Sequence, residues 1–288
     1  MSVTTVPEDL RGSTGPSPSS RSRSLRLSPA TVLTRVWLIP VAIAAWELAT
    51  RQAESFYFPP PSAIVVRMYD LWFSGPASHL FLTEEAAENF GPSLGRLFGG
   101  WIIACVVGIT LGIALGRSSA LYDYINPIVE FARATPPPAL IPLFIIIFKI
   151  GTPMQLATIV YTVIWPILIN TVDGARYLDG VHADTAKVFG LTRAQRFFRI
   201  ILPAAAPKIF AGMRVSLSIA VILMVVSELV GAVNGIGFLI LFKQQSFDLP
   251  GMWGGVVLLG LLGYTLNASF IMIERRVLSW HRRARQTN

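Results

Sequence analysis

Residues 184–203 read "DTAKVFGLTRAQRFFRIILP", a stretch too polar for a bilayer that sits between two long apolar runs. A short helix over 181–189 is expected, closed by Gly190, because glycine adopts the left-handed backbone that ends helices without steric cost. Thr192 then caps a second helix, and Gln195 three residues on completes a capping box, so the turn between the helices is set within two residues. On the second helix Phe197, Ile200 and Ile201 share one face, while Arg193, Arg196 and Arg199 lie along another. Pro203 and Pro207 predict a break before the next apolar run. The stretch reads as a projecting knuckle, packed on one side and wet on the other.

The solvent around that knuckle follows from composition. The 288 residues are 53% hydrophobic and only 14% charged, with a mean hydropathy of +0.57, where a soluble domain carries about 25% charge. The chain reads as an all-α integral membrane protein. The net charge of +8 does not point to nucleic acid, because the basic residues flank apolar runs and are not interleaved with stacking aromatics. Cys105 is the one cysteine, which excludes an intramolecular disulfide and a cysteine-based metal cluster.

A helix needs roughly 20 apolar residues to cross a bilayer. Six runs qualify, at about Val32–Ala49, Leu94–Leu115, Ile128–Phe148, Met154–Val172, Ile209–Val230 and Trp253–Ile273. Pro136, Pro137, Pro138 and Pro142 predict a broken start to the third. With the N-terminus inside, the inner segments hold Arg117, Arg133, the cluster from Arg176 to Arg214 and the arginines from Arg275 on, against Arg51, Arg67, Arg96, Lys149 and Lys243 outside. That bias places the knuckle and both termini in the cytoplasm. Residues 1–28, rich in Ser, Pro and Arg, are expected to form a disordered basic tail. Residues 29–92 hold the first span, read as uncleaved, and an external amphipathic segment with Ser62 and Thr83 as helix caps. Residues 93–288 form the core domain, with the knuckle loop at about 173–208.

A basic amphipathic loop of this kind suits anionic lipid or a protein partner, and its physical features alone leave both open. The stretch resembles the "EAA" loop of ABC importer permeases: Asp184, Thr185 and Ala186 stand at the first three positions, followed at matching spacing by Gly190, Ile200, Leu202 and Pro203. Asp184 for glutamate keeps the charge, and Thr185 for alanine departs from the pattern. "SLGRLFGGWIIACVVGITLGIALG", "PPPALIPLFIIIFKIGTPMQ", "NGIGFLI" and "ERRVLSW" extend the resemblance toward the nitrate, sulfonate, taurine and bicarbonate importer group. It implies a type I permease fold whose loop docks on ATP-binding subunits, an extracytoplasmic substrate-binding protein, and a second permease copy, in the bacterial cytoplasmic membrane. ATP and Mg would sit on the partner ATPase. Arg193, Arg196 and Arg199 would meet acidic groups on that partner or lipid phosphates.

The chain is not expected to be its own motor or an enzyme. It has no Gly-x4-Gly-Lys-Ser/Thr phosphate loop and no Gly-Lys pair. His79, His182 and His281 are scattered without zinc-ligand spacing, so no cofactor or metal is expected. Within spans, Glu228 and Asn170 either line a translocation path or lock helices together. Lys149, at the outer end of the third span, either receives an anionic solute such as a sulfonate, taurine or nitrate, or reaches the head groups as an anchor. The competing class is a secondary transporter or channel without an ATPase partner.

Overall fold

The computed structural model describes residues 37–79, 81–176 and 189–279, and every regular element among them is helical. The elements are α1 (Leu38–Ala53), α2 (Pro61–Met68), α3 (Glu84–Arg117), α4 (Ser119–Ala134), α5 (Ile141–Phe148), α6 (Thr152–Arg176), α7 (Arg193–Arg196), α8 (Leu202–Gly231), α9 (Ile236–Gln245) and α10 (Leu249–Val277). By internal contacts the chain separates into residues 1–45 and 46–288. Of the first unit, the described part is the opening of α1, with Leu38, Ile39, Val41 and Ile43 exposed. The tail at 1–28 lies outside the described residues.

In the second unit, glycine contacts set the directions of the long helices. A Cβ on Gly100 would meet Ile159, on Gly108 Ile167, on Gly112 Thr171 and on Gly116 Ala175. Partner numbers rise in step with glycine numbers, so α3 and α6 run parallel. The stripe, continued by the buried Ala104, has a small residue every fourth position. Such stripes let backbones approach where lipid offers no hydrophobic drive to helix association. In contrast, Gly174 faces Ala205 and Lys208 while Gly212 faces Pro166 and Asn170, so α8 runs antiparallel to α6. Leu97, Ile159, Val163, Ile167, Leu217 and Met224 close the core between these three helices.

Parallel α3 and α6 require the 34 residues between Arg117 and Thr152 to bring the chain back across the bundle. They do so stepwise. Arg176 lies 4.0 Å over the Tyr122 ring, Val129 packs with Leu168 and Val172, Tyr161 Oη donates to the Ala132 carbonyl at 2.6 Å, and Ile150 reaches Gly231. α4 and α5 are therefore one crossing, bent by 90°. The bend falls at the proline run, which forms the 3-10 turn Pro137–Leu140.

Among the described residues α3, α6, the run 194–231 and α10 are each long and apolar enough to cross, and the bent pair makes five. The first expected span, Val32–Ala49, begins outside the described residues, which show α1 over Leu38–Ala53. Two expectations are corrected. Ser62 does not cap α2, because Pro61 starts it after Pro60 and presets the first turn. The Ser62 N–H and hydroxyl instead donate to Glu47 at 3.0 and 2.7 Å. Thr83 does cap α3, accepting from the Ala86 N–H at 3.2 Å. Finally, Pro203 and Pro207 do not break the helix after the knuckle. The turn Phe197–Ile201 widens to i→i−5 bonding, with the Leu202 N–H donating to Phe197 O, and helix continues from 194 to 231. A wider turn absorbs the register change that a proline imposes.

Arg67 on α2 ties that helix to the start of α10, with Nη2 donating to Asp248 Oδ2 at 2.7 Å. Asp248 also caps α10, accepting from the Gly251 N–H. Burial opposes ionisation of Asp248, but these hydrogen bonds outweigh it and hold its carboxyl below the usual range.

Candidate translocation and coupling sites

Glu228, 1% exposed, ends the long helix at the end of the bundle away from the knuckle. A bare carboxylate there would be very costly. Its partners come from two elements, α3 and α9. Oε1 accepts from Ser93 Oγ at 2.7 Å and from Arg96 Nη1 at 2.9 Å, and Oε2 accepts from the Gly237 N–H at 2.9 Å. Asn89, Ser93 and Arg96 stand at i, i+4 and i+7 of α3 and therefore share a face. Asn89 Oδ1 takes the Gly235 N–H and Ser93 Oγ the Ile236 N–H, both at 2.8 Å. The first amides of α9 are thus satisfied by side chains of α3 and α8, and a carboxylate sits at that helix's positive end.

This knot explains the glycines of "NGIGFLI". Gly235 has φ +124, and a Cβ on it would lie 2.5 Å from Glu228 Cδ; one on Gly237 would lie 2.8 Å from Glu228 Cβ. Arg96 Nη1 also donates to the Asn234 carbonyl at 2.9 Å, and its Nε reaches Thr152 Oγ1 at 3.4 Å. One guanidinium thereby joins α3, α6, α8 and the α8–α9 turn. Asn89, Ser93 and Arg96 are not among the residues singled out from sequence. The available signal is an arginine with polar residues one and two turns before it, facing the lone acid of another apolar run.

The other sequence candidates are not among the residues bonded in the knot. Asn170 is half-buried and donates within its own helix to the Pro166 carbonyl at 2.8 Å, where Gly212 of α8 crosses. Lys149 is exposed and ends α5 with φ 63 and ψ 169. That backbone region is almost confined to glycine and costs a lysine about 1–3 kcal/mol. The next turn, through Gly151, leads into Thr152, so this corner abuts the knot.

At the opposite end, Asp184, Thr185 and Ala186 lie outside the described residues, as does the side chain of Arg193. Gly190 has φ +60, and a Cβ added there would meet nothing within 4 Å. The capping box is reciprocal: the Gln195 N–H donates to Thr192 Oγ1 at 3.3 Å and the Thr192 N–H to Gln195 Oε1 at 3.0 Å. Ile201 is buried, Arg196, Phe197 and Ile200 are half-buried, and Arg199 is exposed. Leu202 and Pro203 open α8. Phe189 and Phe198 project, 74% and 65% exposed. An isolated bundle leaving two phenylalanines beside an open turn presents a surface suited to a partner or a lipid face.

Residues 107–279 match the family described as "Binding-protein-dependent transport system inner membrane component". The chain is similar to the taurine transport system permease protein TauC of Escherichia coli, 28% identical with 92% of each chain covered. It is similar to the nitrate import permease protein NrtB of Synechocystis sp., 30% identical over 83% of this chain and 87% of that one. In fold it is similar to a chain of the inward-facing MetNI methionine ABC transporter, with a TM-score of 0.57 and 21% identity over 65% of this chain and 93% of that one.

Proposed function

The chain belongs to the family of binding-protein-dependent transport system inner membrane components, and on that premise we propose how it works as the permease subunit of an ATP-driven importer. Two ATP-binding subunits dock from the cytoplasm on the knuckle, a substrate-binding protein delivers solute from outside, and the path lies between two permease copies. The Lys/Arg distribution supports this orientation, with knuckle and termini inside.

The observation that carries the mechanism is the unbroken helix from the knuckle to the knot. Residues 194–231 span about 57 Å at 1.5 Å per residue. Displacement of the knuckle when the ATPases close therefore moves a single rod, because packed helices shift as units. The far tip of that rod carries Glu228, bound to α3 through Arg96 and to the first turn of α9. ATP-driven motion inside is delivered to the outer end as strain on one ion-paired knot. Asp184, Thr185, Ala186, Gly190, Ile200, Leu202 and Pro203 form the coupling loop, and Gly190 gives it its shape.

The solute is a small anion of the sulfonate, taurine or nitrate kind. Relatives named for taurine and nitrate support this, as does a lysine held in a glycine-like backbone at the outer corner. The test is reconstitution in liposomes with an ATPase and a binding protein that co-purify with the chain. Uptake of labelled taurine, an alkanesulfonate or nitrate is expected to require ATP and the binding protein. Uptake that proceeds without either would establish a secondary transporter instead.

A further inference from the structure

Gln155 lies in the first turn of α6, is 0% exposed, and has no hydrogen-bond partner on either Oε1 or Nε2 among the described residues. Its position is well fixed. Three residues earlier Thr152 meets Arg96, and the following residue, Leu156, packs on Gly99. Residues 152, 155 and 159 share one face of α6, and Ile159 packs on Gly100. The orphaned amide therefore sits on the face turned to α3, one turn beyond the Arg96–Thr152 contact. Unpaired amide groups cost about 1–3 kcal/mol each when buried. An apolar residue of similar size would fill the same space without that cost.

We propose that Gln155 is a second station for the polar knot: a positioning residue that takes over hydrogen bonds from Arg96 or Glu228 when the rod ending in Glu228 moves. The inference rests on the importer reading. Three observations combine in it. The ion pair is buried and cannot simply separate, because each charge needs a partner throughout the motion. The glutamine can offer both a donor to Glu228 and an acceptor to Arg96. The α3–α6 contact brings the two backbones together across a stripe of glycines on which Ile159, Ile167 and Thr171 are seated, so the amide on α6 stays close to the knot residues on α3. In the described state the amide is idle and costs stability; in the exchanged state it lowers the barrier to breaking the knot.

The experiment uses the complete transporter, permease with its ATPase and binding protein, carrying Gln155→Leu, with Gln155→Met as an unbranched replacement where leucine misfits. Removing an idle amide raises the midpoint of thermal unfolding of the detergent-solubilised complex by a few degrees. The same variants transport less solute per ATP hydrolysed, by about tenfold for a lost interaction of 1.4 kcal/mol, while the complex still assembles and hydrolyses ATP. Lower thermal stability in both variants, with an unchanged ratio of solute to ATP, would overturn the proposal and make Gln155 a structural residue held by a buried water. Unchanged stability and unchanged ratio would overturn it equally. Failure of the importer reading itself is seen separately, as absence of ATP-dependent uptake by the unsubstituted complex.

Discussion

The long helix that joins knuckle and knot has a turn on a positive-φ glycine at each end, Gly190 before it and Gly235 after it. The two turns differ in every other respect. At Gly190 the backbone sits at φ +60 in open space, flanked by exposed phenylalanines. At Gly235 it sits at φ +124 with the Glu228 carboxylate against it, and its amide is held by Asn89. One turn is shaped by local chemistry and left free to meet something else. The other is shaped by charges brought from distant parts of the sequence and has nothing left to offer. A substitution at the first should damage communication, and one at the second should damage the fold.

The largest effect is expected in the buried knot. Arg96→Met leaves Glu228 buried with its charge uncompensated, which destabilises by about 3–5 kcal/mol. The protein is expected to unfold at lower temperature in detergent, or to fail to accumulate. Adding Glu228→Leu to the same chain removes the stranded charge and should restore much of the stability. A double variant as unstable as Arg96→Met alone would show that the guanidinium's bonds to Asn234 and Thr152, not the ion pair, hold this end together.

The same contrast separates what was legible in the sequence from what was not. The capping box at Thr192 and Gln195, the cap at Thr83 and the break at the proline run are local chemistry, set by residues within a few positions of each other, and each stands in the structure. The knot was half legible. Glu228 stands out because an acid in an apolar run is costly, but its partners on α3 lie some 130 residues away, and hydropathy does not say which helix faces which. The alternation of spans already makes α3 and α6 parallel, but that they touch, with Gly100, Gly108, Gly112 and Gly116 against α6, is seen only in the structure. Proline misled at 203 and 207, where the wider turn at Phe197–Ile201 carries the helix through.

A smaller change in stability, with a larger change in coupling, is expected at the open turn. Gly190→Val places a β-branched residue at φ +60, costing about 1–2 kcal/mol locally, with no clash to add because nothing lies within reach. The spans should still insert. The protein is expected at the membrane in near-normal amount, with co-purification of the ATPase lost. Gly190→Asn, which tolerates the left-handed region, should retain that association. Equal loss with valine and asparagine would mean that the absence of a side chain, and not the shape of the turn, is what the partner requires.

The smallest effect on the fold belongs to Lys149, and here the comparison of the two ends reaches substrate. Lysine at φ 63 and ψ 169 is held where glycine would be at ease, so Lys149→Gly relieves strain and should leave the protein as stable or raise its thermal midpoint slightly. If the ammonium draws an anionic solute toward the outer mouth, the same substitution lowers uptake at low ionic strength by a few-fold, and the deficit shrinks as salt shortens the reach of the field to about 10 Å at 0.1 M. Lys149→Arg, which keeps the charge and the strain, should keep the uptake. A lysine that serves only as an anchor in the head groups gives the opposite pattern: a stability loss for Lys149→Gly in liposomes rich in anionic lipid, and uptake per inserted protein that does not depend on salt. Measuring both quantities on the three proteins across a salt series therefore separates a residue kept for the solute from one kept for the membrane.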